Sequence, residues 1–218
     1  MKFEEIKSRI IAYKNEGNSL FTTSSFQSHS LVLLHILSRI DKTIPIVFIN
    51  TGFHFPETIK FRDEVADLFG LTNLIDLKSD MPKSLQKGEN GRLLFASDPD
   101  YCCHINKTEP LHNLLRTYDV WVNGVRADQS KVRSGMILEQ DAPFGAVRFH
   151  AMLDWNSKMI HDYRKEYNLP THPLDDQGYV SIGCEPCTRK IDINMSDRDV
   201  RWFGLNKTEC GLHTDLIK

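Results

Sequence analysis

Four of the five cysteines in the chain fall into two short motifs that could bind a metal group. Cys102 and Cys103 are adjacent within YCCHINK, and Cys184 and Cys187 form a Cys-x-x-Cys pair within GCEPCTR. If the pairs converge, they supply four thiolates, the donor set of a zinc ion or an iron–sulfur cluster. Adjacent side chains point apart in regular structure, so they reach separate irons more easily than one small zinc ion. The two motifs together therefore favour a cluster.

Each cysteine motif also has a simpler interpretation when it is considered alone. Cys102 and Cys103 could be small apolar residues of the core. Cys184 and Cys187 could be half of a zinc site or a redox-active pair. The cluster becomes the better interpretation because both motifs occur in one chain.

The fifth cysteine, Cys210, lies near the C-terminal end within KTECGLH. Lys207 and His213 flank it and would favour its thiolate, and Gly211 relaxes the backbone beside it. This pattern is typical of a nucleophile that moves to its substrate. The alternative is an ordinary surface cysteine.

Arginines near two predicted element ends could bind an anion. Arg126 and Arg133 follow a strand predicted to end at Asn123, and Arg198 and Arg201 precede the C-terminal tail. A guanidinium group can donate two parallel hydrogen bonds to sulfate or phosphate oxygens. Any one of these arginines could equally be a solvated surface group.

Composition limits the classes of function. The 218 residues are 40% hydrophobic, enough for one domain with an appendage, and we divide the chain into a domain at 1–200 and a tail at 201–218. Because 27 basic residues face 29 acidic ones, the net charge of -2 provides no general attraction to nucleic acid or to an acidic membrane. The sequence shows no signal peptide or membrane span, so we expect a cytoplasmic protein. An odd cysteine count then indicates metal or thiol chemistry rather than disulfides.

Apolar patterning alternates between the strand and helix periods. Strands are predicted at 19–24, 45–50, 74–77 and 120–123, with helices at 28–40, from Pro56 and at 109–117. The stretch 78–100 is predicted to be a mobile loop around one short helix. This order predicts an α/β fold, a mostly parallel sheet with helices on both faces. Ligands bind beyond the carboxyl ends of such strands, which here are the turns at 24–30, 50–55 and 124–133.

Taken together, these motifs resemble the sulfonucleotide reductases of assimilatory sulfate reduction, in particular the iron–sulfur branch that acts on adenylyl sulfate (APS). The resemblance covers nearly the whole chain and runs through SFQSHSLVLLH, INTGFHFPET, CCHINKTEPL, NGVRADQSKVR, LDWN, LPTHPLDDQGYVSIGCEPCTR and KTECGLH. It implies an ATP-pyrophosphatase-like (adenine nucleotide alpha hydrolase-like) fold with a mobile C-terminal tail. It further implies one 4Fe-4S cluster on Cys102, Cys103, Cys184 and Cys187, with Cys210 as the nucleophile.

The resemblance also implies which residues bind the substrate. Lys107 corresponds to a cluster-adjacent lysine, Arg198 and Arg201 to a sulfate-binding pair, and His213 to the family's histidine beyond the nucleophile. The other predicted substrate-binding residues lie in the three turns: Ser25, Phe26, Gln27, Ser28, Thr51, Gly52, Gly124, Arg126 and Arg133. In one departure, Gln27 replaces a glycine of the phosphate turn and the acidic residue beyond it is absent, which argues against ATP cleavage.

The implied function is thioredoxin-dependent reduction of APS to sulfite and AMP, in sulfate assimilation and cysteine biosynthesis. Cys210 would displace AMP and form a thiosulfonate, and thioredoxin or a similar dithiol would release sulfite. The nearest alternative is the same reaction on 3'-phosphoadenylyl sulfate (PAPS), or on both nucleotides. More distant alternatives are an ATP-using thiolase and a non-catalytic zinc-binding module. No nucleic-acid or membrane partner is expected, and a homo-oligomer is compatible with the sequence.

Overall fold

The computed structural model describes residues 1–195, 199–202, 207, 209–214 and 216, and within these ranges one six-stranded sheet forms the centre of the protein. Its strands are β1 (Leu20–Thr23), β2 (Ile46–Ile49), β3 (Leu74–Leu77), β4 (Val120–Asn123), β5 (Glu139–Asp141) and β6 (Val147–His150). The spatial order is β3-β2-β1-β4-β6-β5, and only the β5–β6 pair is antiparallel. The predicted, mostly parallel α/β sheet is confirmed.

Helices cover both faces of this sheet, as predicted. They are α1 (Phe3–Asn15), α2 (Leu31–Ile40), α3 (Pro56–Phe69), α4 (Leu94–Ser97), α5 (Pro99–Cys103), α6 (Glu109–Leu115), α7 (Lys131–Ser134) and α8 (Ser157–Glu166). On one face, side chains of α1, α2, α3 and α8 form the larger apolar core with the strands. On the other face, α6 packs on Phe21 and Trp121, and Leu216 of the C-terminal segment joins the same cluster. Leu216 therefore lies on the α6 side of the sheet.

Local sequence explains how the connecting helices form. Helix α2 is buried around almost its whole circumference because it lies between the sheet and three other helices, which is why its sequence is nearly all apolar. Helix α3 begins with Pro56, whose fixed φ suits a first helical position. It ends at Gly70, whose φ of 62° is the left-handed conformation that glycine adopts without strain.

The predicted element positions agree with the structure in the first half of the chain and fail in part in the second. The strands at 74–77 and 120–123 have the predicted bounds, and the helix predicted at 28–40 is a 3₁₀ turn at Ser28–Ser30 followed by α2. The stretch 78–100 contains a second 3₁₀ turn, α4 and the start of α5. Sequence reasoning missed α1, α8, β5 and β6. Strand β6 was hidden because its sequence, VRFH, buries an arginine and a histidine and so lacks an apolar run.

From β1 the chain adds β2 and β3 on one side of the sheet, and it then returns to add β4, β6 and β5 on the other side. The order of the strands therefore reverses between β1 and β4, which are neighbours in the sheet. In open α/β sheets a ligand crevice forms beyond the carboxyl ends of the strands at such a reversal. The turns at 24–30 and 124–133 follow these two strands.

In the part of the chain that the structure describes, no helix is both long and apolar enough to cross a membrane.

Candidate active site

The adjacent cysteines stand at the end of α5, where the helix changes its winding. Asp98 caps the start of α5, its carboxylate accepting a hydrogen bond from the Tyr101 amide at 2.9 Å. After Cys103 the chain continues into a π-helical turn, His104–Thr108. Such turns are rare and often occur at functional sites. This one brings Lys107 to the same cavity as Cys102 and Cys103.

The second cysteine pair is fixed to the turn that follows β2. The hydroxyl of Thr51 lies 3.1 Å from the Cys184 Sγ, and the amide of Glu185 donates to the Phe53 carbonyl at 2.7 Å. Thr51, predicted to bind substrate, therefore contacts a cysteine here. Cys102, Cys103, Cys184 and Cys187 line one cavity together with Lys107 and several apolar side chains, and none of the four forms a disulfide. The two motifs converge as predicted.

The chemistry of the four thiols suits a metal group. Burial and the neighbouring thiolates of Cys184 and Cys187 raise the pKa of Cys102 to about 11, so these thiols repel one another when charged. Within the described ranges, no three histidine, cysteine, aspartate or glutamate side chains are arranged to hold one metal ion. Four thiolates are the donor set that a zinc ion and an iron–sulfur cluster both use. The donor set therefore fits the predicted iron–sulfur group.

A buried amide pair supports the helix that carries Cys102, and sequence reasoning missed it. Gln86 Nε2 donates to Asn106 Oδ1 at 3.0 Å, and Asn106 Nδ2 donates back to Gln86 Oε1 at 2.7 Å. The Asn106 amide also donates to the Cys102 carbonyl at 2.9 Å and lies 3.7 Å from its Sγ. The pair joins the stretch 78–100 to the cysteine helix. The sequence carries no signal for it, because the two amides are 20 positions apart.

Cys210 is buried directly beside this cavity. Its pKa is held well below the ordinary value chiefly because the Cys103 thiol donates a hydrogen bond to it. Burial opposes this shift, and the positive charges of Lys107 and Arg201 reinforce it. Burial also lowers the pKa of Lys107, but the charges of Cys210, Cys184 and Cys103 raise it more, so the ammonium stays charged. A thiol whose pKa is lowered and that lies near a cation has the properties that a thiolate nucleophile requires.

Arg201 lies at the edge of the cysteine cavity, in a space that Gly183 leaves open. A Cβ atom placed on Gly183 would lie 2.2 Å from the Arg201 Nη2 and 2.4 Å from its Cζ. The guanidinium also stands 4.8 Å from the ring centroid of Trp202, which lines the cavity. Sequence reasoning missed Gly183, although its place directly before Cys184 in GCEPC is a signal. Gly183 therefore allows the close approach of Arg201 to the cysteines.

Arg126 and Arg133 are both paired with carboxylates in this structure. Arg126 Nε donates to Asp128 at 2.9 Å, and its Nη2 donates to the Ser157 hydroxyl at 3.3 Å. Arg133 holds Glu209, the residue before Cys210, through its Nε at 3.1 Å and its Nη2 at 2.9 Å. Arg133 is thus linked to Cys210, whereas Arg126 is joined to the start of α8.

Other predicted tail residues differ in their placement. Lys207, predicted to favour the Cys210 thiolate, forms an ion pair with Asp100 at the start of α5. Arg198 lies outside the described residues, and so does the side chain of His213.

The turn after β1 is joined to the segment that leads to Cys184. The Ser28 hydroxyl donates to Asp175 at 2.5 Å and accepts from the His172 amide at 2.7 Å. Gln27 Oε1 accepts a hydrogen bond from the Ile182 amide at 2.9 Å. The departure at Gln27 therefore has a structural role, since its side chain ties the phosphate turn to the second cysteine motif.

The remaining predicted substrate-binding residues lie in the turns after β1, β2 and β4. Phe26 is buried at a φ of 52°, while Ser25 is exposed and accepts from Gln27 Nε2 at 3.2 Å. Gly52 is exposed with a φ of 73°, and its carbonyl accepts from Lys83 Nζ at 2.7 Å. Gly124 is exposed at the carboxyl end of β4. Ser25 and Gly124 thus follow the carboxyl ends of the neighbouring strands β1 and β4.

Comparisons with known proteins identify the family of the chain. Residues 19–190 match the phosphoadenosine phosphosulfate reductase domain family. The adenosine 5'-phosphosulfate reductase of Chelativorans sp. (strain BNC1) is 38% identical over 204 residues, 92% of this chain and 81% of the relative.

Solved structures confirm the predicted fold class. The phosphoadenylyl-sulfate reductase of Candida auris superimposes with a TM-score of 0.69 at 23% identity, covering 85% of this chain and 89% of that chain. The NH3-dependent NAD synthetase of Campylobacter jejuni superimposes with a TM-score of 0.52 at 12% identity, covering 78% and 75%.

Proposed function

Because the chain belongs to the phosphoadenosine phosphosulfate reductase domain family, we propose that it reduces adenylyl sulfate to sulfite and AMP in sulfate assimilation. The relatives that resemble it over more than nine-tenths of its length are named adenosine 5'-phosphosulfate reductases, which supports this choice of nucleotide. The observation that carries the proposal is the placement of Cys210. Its side chain is buried, and the positive charges of Lys107 and Arg201 act on it.

The first step is attack of the Cys210 thiolate on the sulfur of adenylyl sulfate. A bond forms between the two sulfur atoms, the bond from sulfur to the bridging phosphate oxygen breaks, and AMP leaves with its electron pair. Thiolate and substrate are both anions, so their approach is opposed by repulsion. Lys107 and Arg201 offset that repulsion because their positive charges lie beside the nucleophile before the substrate arrives.

Sulfite is released from the thiosulfonate by an external dithiol such as thioredoxin, in the cytoplasm. One thiolate of the dithiol attacks the Cys210 sulfur, and sulfite leaves with the electron pair of the broken sulfur–sulfur bond. The second thiol then attacks the mixed disulfide and restores the Cys210 thiolate. Two electrons pass from the dithiol, which becomes a disulfide, to the group that leaves as sulfite.

A 4Fe-4S cluster held by Cys102, Cys103, Cys184 and Cys187 is part of the proposal. The support is the convergence of four free thiols on one largely apolar cavity, with the Thr51 hydroxyl 3.1 Å from the Cys184 Sγ. Hydrogen bonds to cluster sulfurs are among the means by which a protein tunes such a group. When bound, the cluster would contribute its charge to the electrostatics of the site. Lys107 lines this cavity and interacts with Cys210, so it connects the proposed cluster site with the proposed nucleophile.

A single-turnover experiment tests the nucleophile and the nucleotide together. Reduced, anaerobically purified protein is mixed with adenylyl sulfate without thioredoxin, and in parallel with its 3'-phosphorylated form. We expect a stoichiometric release of AMP, a gain of SO3 mass on the peptide that contains Cys210, and sulfite only after a dithiol is added. Cys210→Ser should bind nucleotide, keep its iron and form no adduct. Sulfite production by that variant, or an adduct on another cysteine, would refute the mechanism, and faster reaction of the 3'-phosphorylated nucleotide would reassign the substrate.

A further inference from the structure

Glu209, the residue before Cys210, has a buried carboxylate whose two oxygens together accept four hydrogen bonds. Glu209 has a side-chain exposure of only 3%, and its carboxylate is paired with Arg133. One oxygen accepts from Arg133 Nη2 at 2.9 Å and from the Cys210 amide at 3.0 Å. The other accepts from Arg133 Nε and from the Ser130 hydroxyl, both at 3.1 Å. Two-point guanidinium pairs of this kind fix orientation as well as distance.

The partners of Glu209 are themselves held in place. The Ser130 hydroxyl caps α7 by accepting from the Arg133 amide at 3.3 Å, and Arg133 Nη1 donates to the side chain of Gln129. A second attachment lies two residues after Cys210, where the buried Arg148 donates to the Leu212 carbonyl at 2.9 Å. Cys210 is therefore bracketed by two arginine contacts that do not involve the cysteine cavity.

We infer that Arg133 and Glu209 form a latch that positions Cys210 for attack on sulfur, and that this latch opens before a dithiol reaches the sulfur of Cys210. The inference rests on the proposed function for its kinetic consequences. Arg133 and Glu209 are positioning residues, since they act through the placement of Cys210. Arg133 would accordingly hold the C-terminal segment, whereas its position in the sequence predicts a role in binding the substrate anion.

The burial of Cys210 is the reason that opening is required. Its exposure is 9%, and the cysteine cavity and the Arg148 contact enclose it from two sides. The partner dithiol belongs to another macromolecule and must bring its sulfur into line with the bond that breaks. Closure favours the first half-reaction and opening favours the second. A weakened latch should therefore slow AMP release without slowing sulfite release.

The kinetic test compares Glu209→Gln with the matched control Glu139→Gln. Glu139 pairs with Arg9 through the Nε and Nη2 of the guanidinium, but it joins α1 to β5, and among the described residues it makes no hydrogen bond or ion pair with Cys210. In Glu209→Gln, single-turnover AMP release should fall by on the order of tenfold or more. Sulfite release from preformed adduct by dithiol should be unchanged or faster. A defect of equal size in both half-reactions, or rates equal to those of the control, would overturn the latch.

A second measurement does not depend on the proposed reaction. Alkylation of Cys210 by iodoacetamide in the substrate-free protein, followed by peptide mass spectrometry, reports how often the segment opens. Glu209→Gln and Arg133→Gln should each accelerate alkylation, and the double variant should show little further gain because each residue acts through the other. Additive effects, or protection equal to that of Glu139→Gln, would refute the latch.

These readouts separate failure of the latch from failure of the proposed function. If Glu209→Gln exposes Cys210 but wild-type protein forms no adduct with either nucleotide, the function is wrong and the latch stands. If wild type forms the adduct and neither variant changes any rate, the function stands and the latch is wrong. Should Glu209→Gln fail to fold, Ser130→Ala removes one of the hydrogen bonds to the carboxylate and should move both measurements in the same directions, by a smaller factor. Unchanged rates in that variant would refute the latch.

Discussion

Gly183→Ala should displace Arg201 without removing any charged group from the site. The added Cβ would lie 2.2 Å from Nη2, 2.4 Å from Cζ and 2.6 Å from Nη1 of Arg201. All three atoms belong to the far end of a flexible side chain, so the guanidinium moves more readily than the backbone. To restore an ordinary contact of at least 3.4 Å, Nη2 must move by about 1.2 Å, the difference between 3.4 and 2.2.

A shift of this size should lower the catalytic efficiency strongly. Misplacing a positioning group by about 1 Å can cost on the order of a hundredfold in rate. A charge-assisted hydrogen bond contributes about 1.5 to 3 kcal/mol, or roughly ten- to a hundredfold. We therefore expect kcat/KM for adenylyl sulfate to fall by about ten- to a hundredfold in Gly183→Ala.

The assay is sulfite formation with a saturating dithiol, accompanied by iron and sulfide analysis, because Gly183 is next to Cys184. Gly135→Ala is the matched control, since the nearest atom to its new Cβ is the Val132 carbonyl oxygen at 3.7 Å. If the substitution acts through Arg201, it should have little further effect in an Arg201→Ala background. Full activity in Gly183→Ala, or additive losses in the double variant, would refute this reasoning.

Three further predictions concern the supports of the site. Cys184→Ser should lose iron and activity together, because a hydroxyl does not replace a thiolate ligand, and metal analysis with the sulfite assay checks this. Asn106→Leu should lower the free energy of unfolding by about 1 to 3 kcal/mol, since it leaves the buried Gln86 Oε1 without the donor that Asn106 provides, as measured by urea titration. Burial lowers the pKa of His150 to about 4, so the unfolded chain binds a proton that the folded one excludes between pH 6.5 and 4. Stability should fall by up to about 3 kcal/mol as the pH decreases through that window, and His150→Gln should flatten the decline.

Local sequence was sufficient for the chemistry-bearing motifs and for much of the first half of the sheet. The three cysteine motifs, YCCHINK, GCEPC and ECGLH, can be recognised from the sequence alone, because the residues of each motif are neighbours in the chain. Strand β4 has the predicted bounds because its apolar run ends where the chain leaves the core, and this boundary is visible in the residue types alone.

Tertiary structure determined which polar groups pair with one another. Glu209 lies 76 positions from Arg133, and Ser28 lies 147 positions from Asp175, so no local period relates them. An arginine in a sequence is equally compatible with a substrate anion and with a carboxylate of its own chain, and only packing chooses between them. Strand β6 was missed for the same reason, since the residues next to Arg148 in the sequence do not show that its side chain is buried. Periodicity reports which face of an element is apolar, whereas the partner of a buried charge depends on elements brought together from the whole chain.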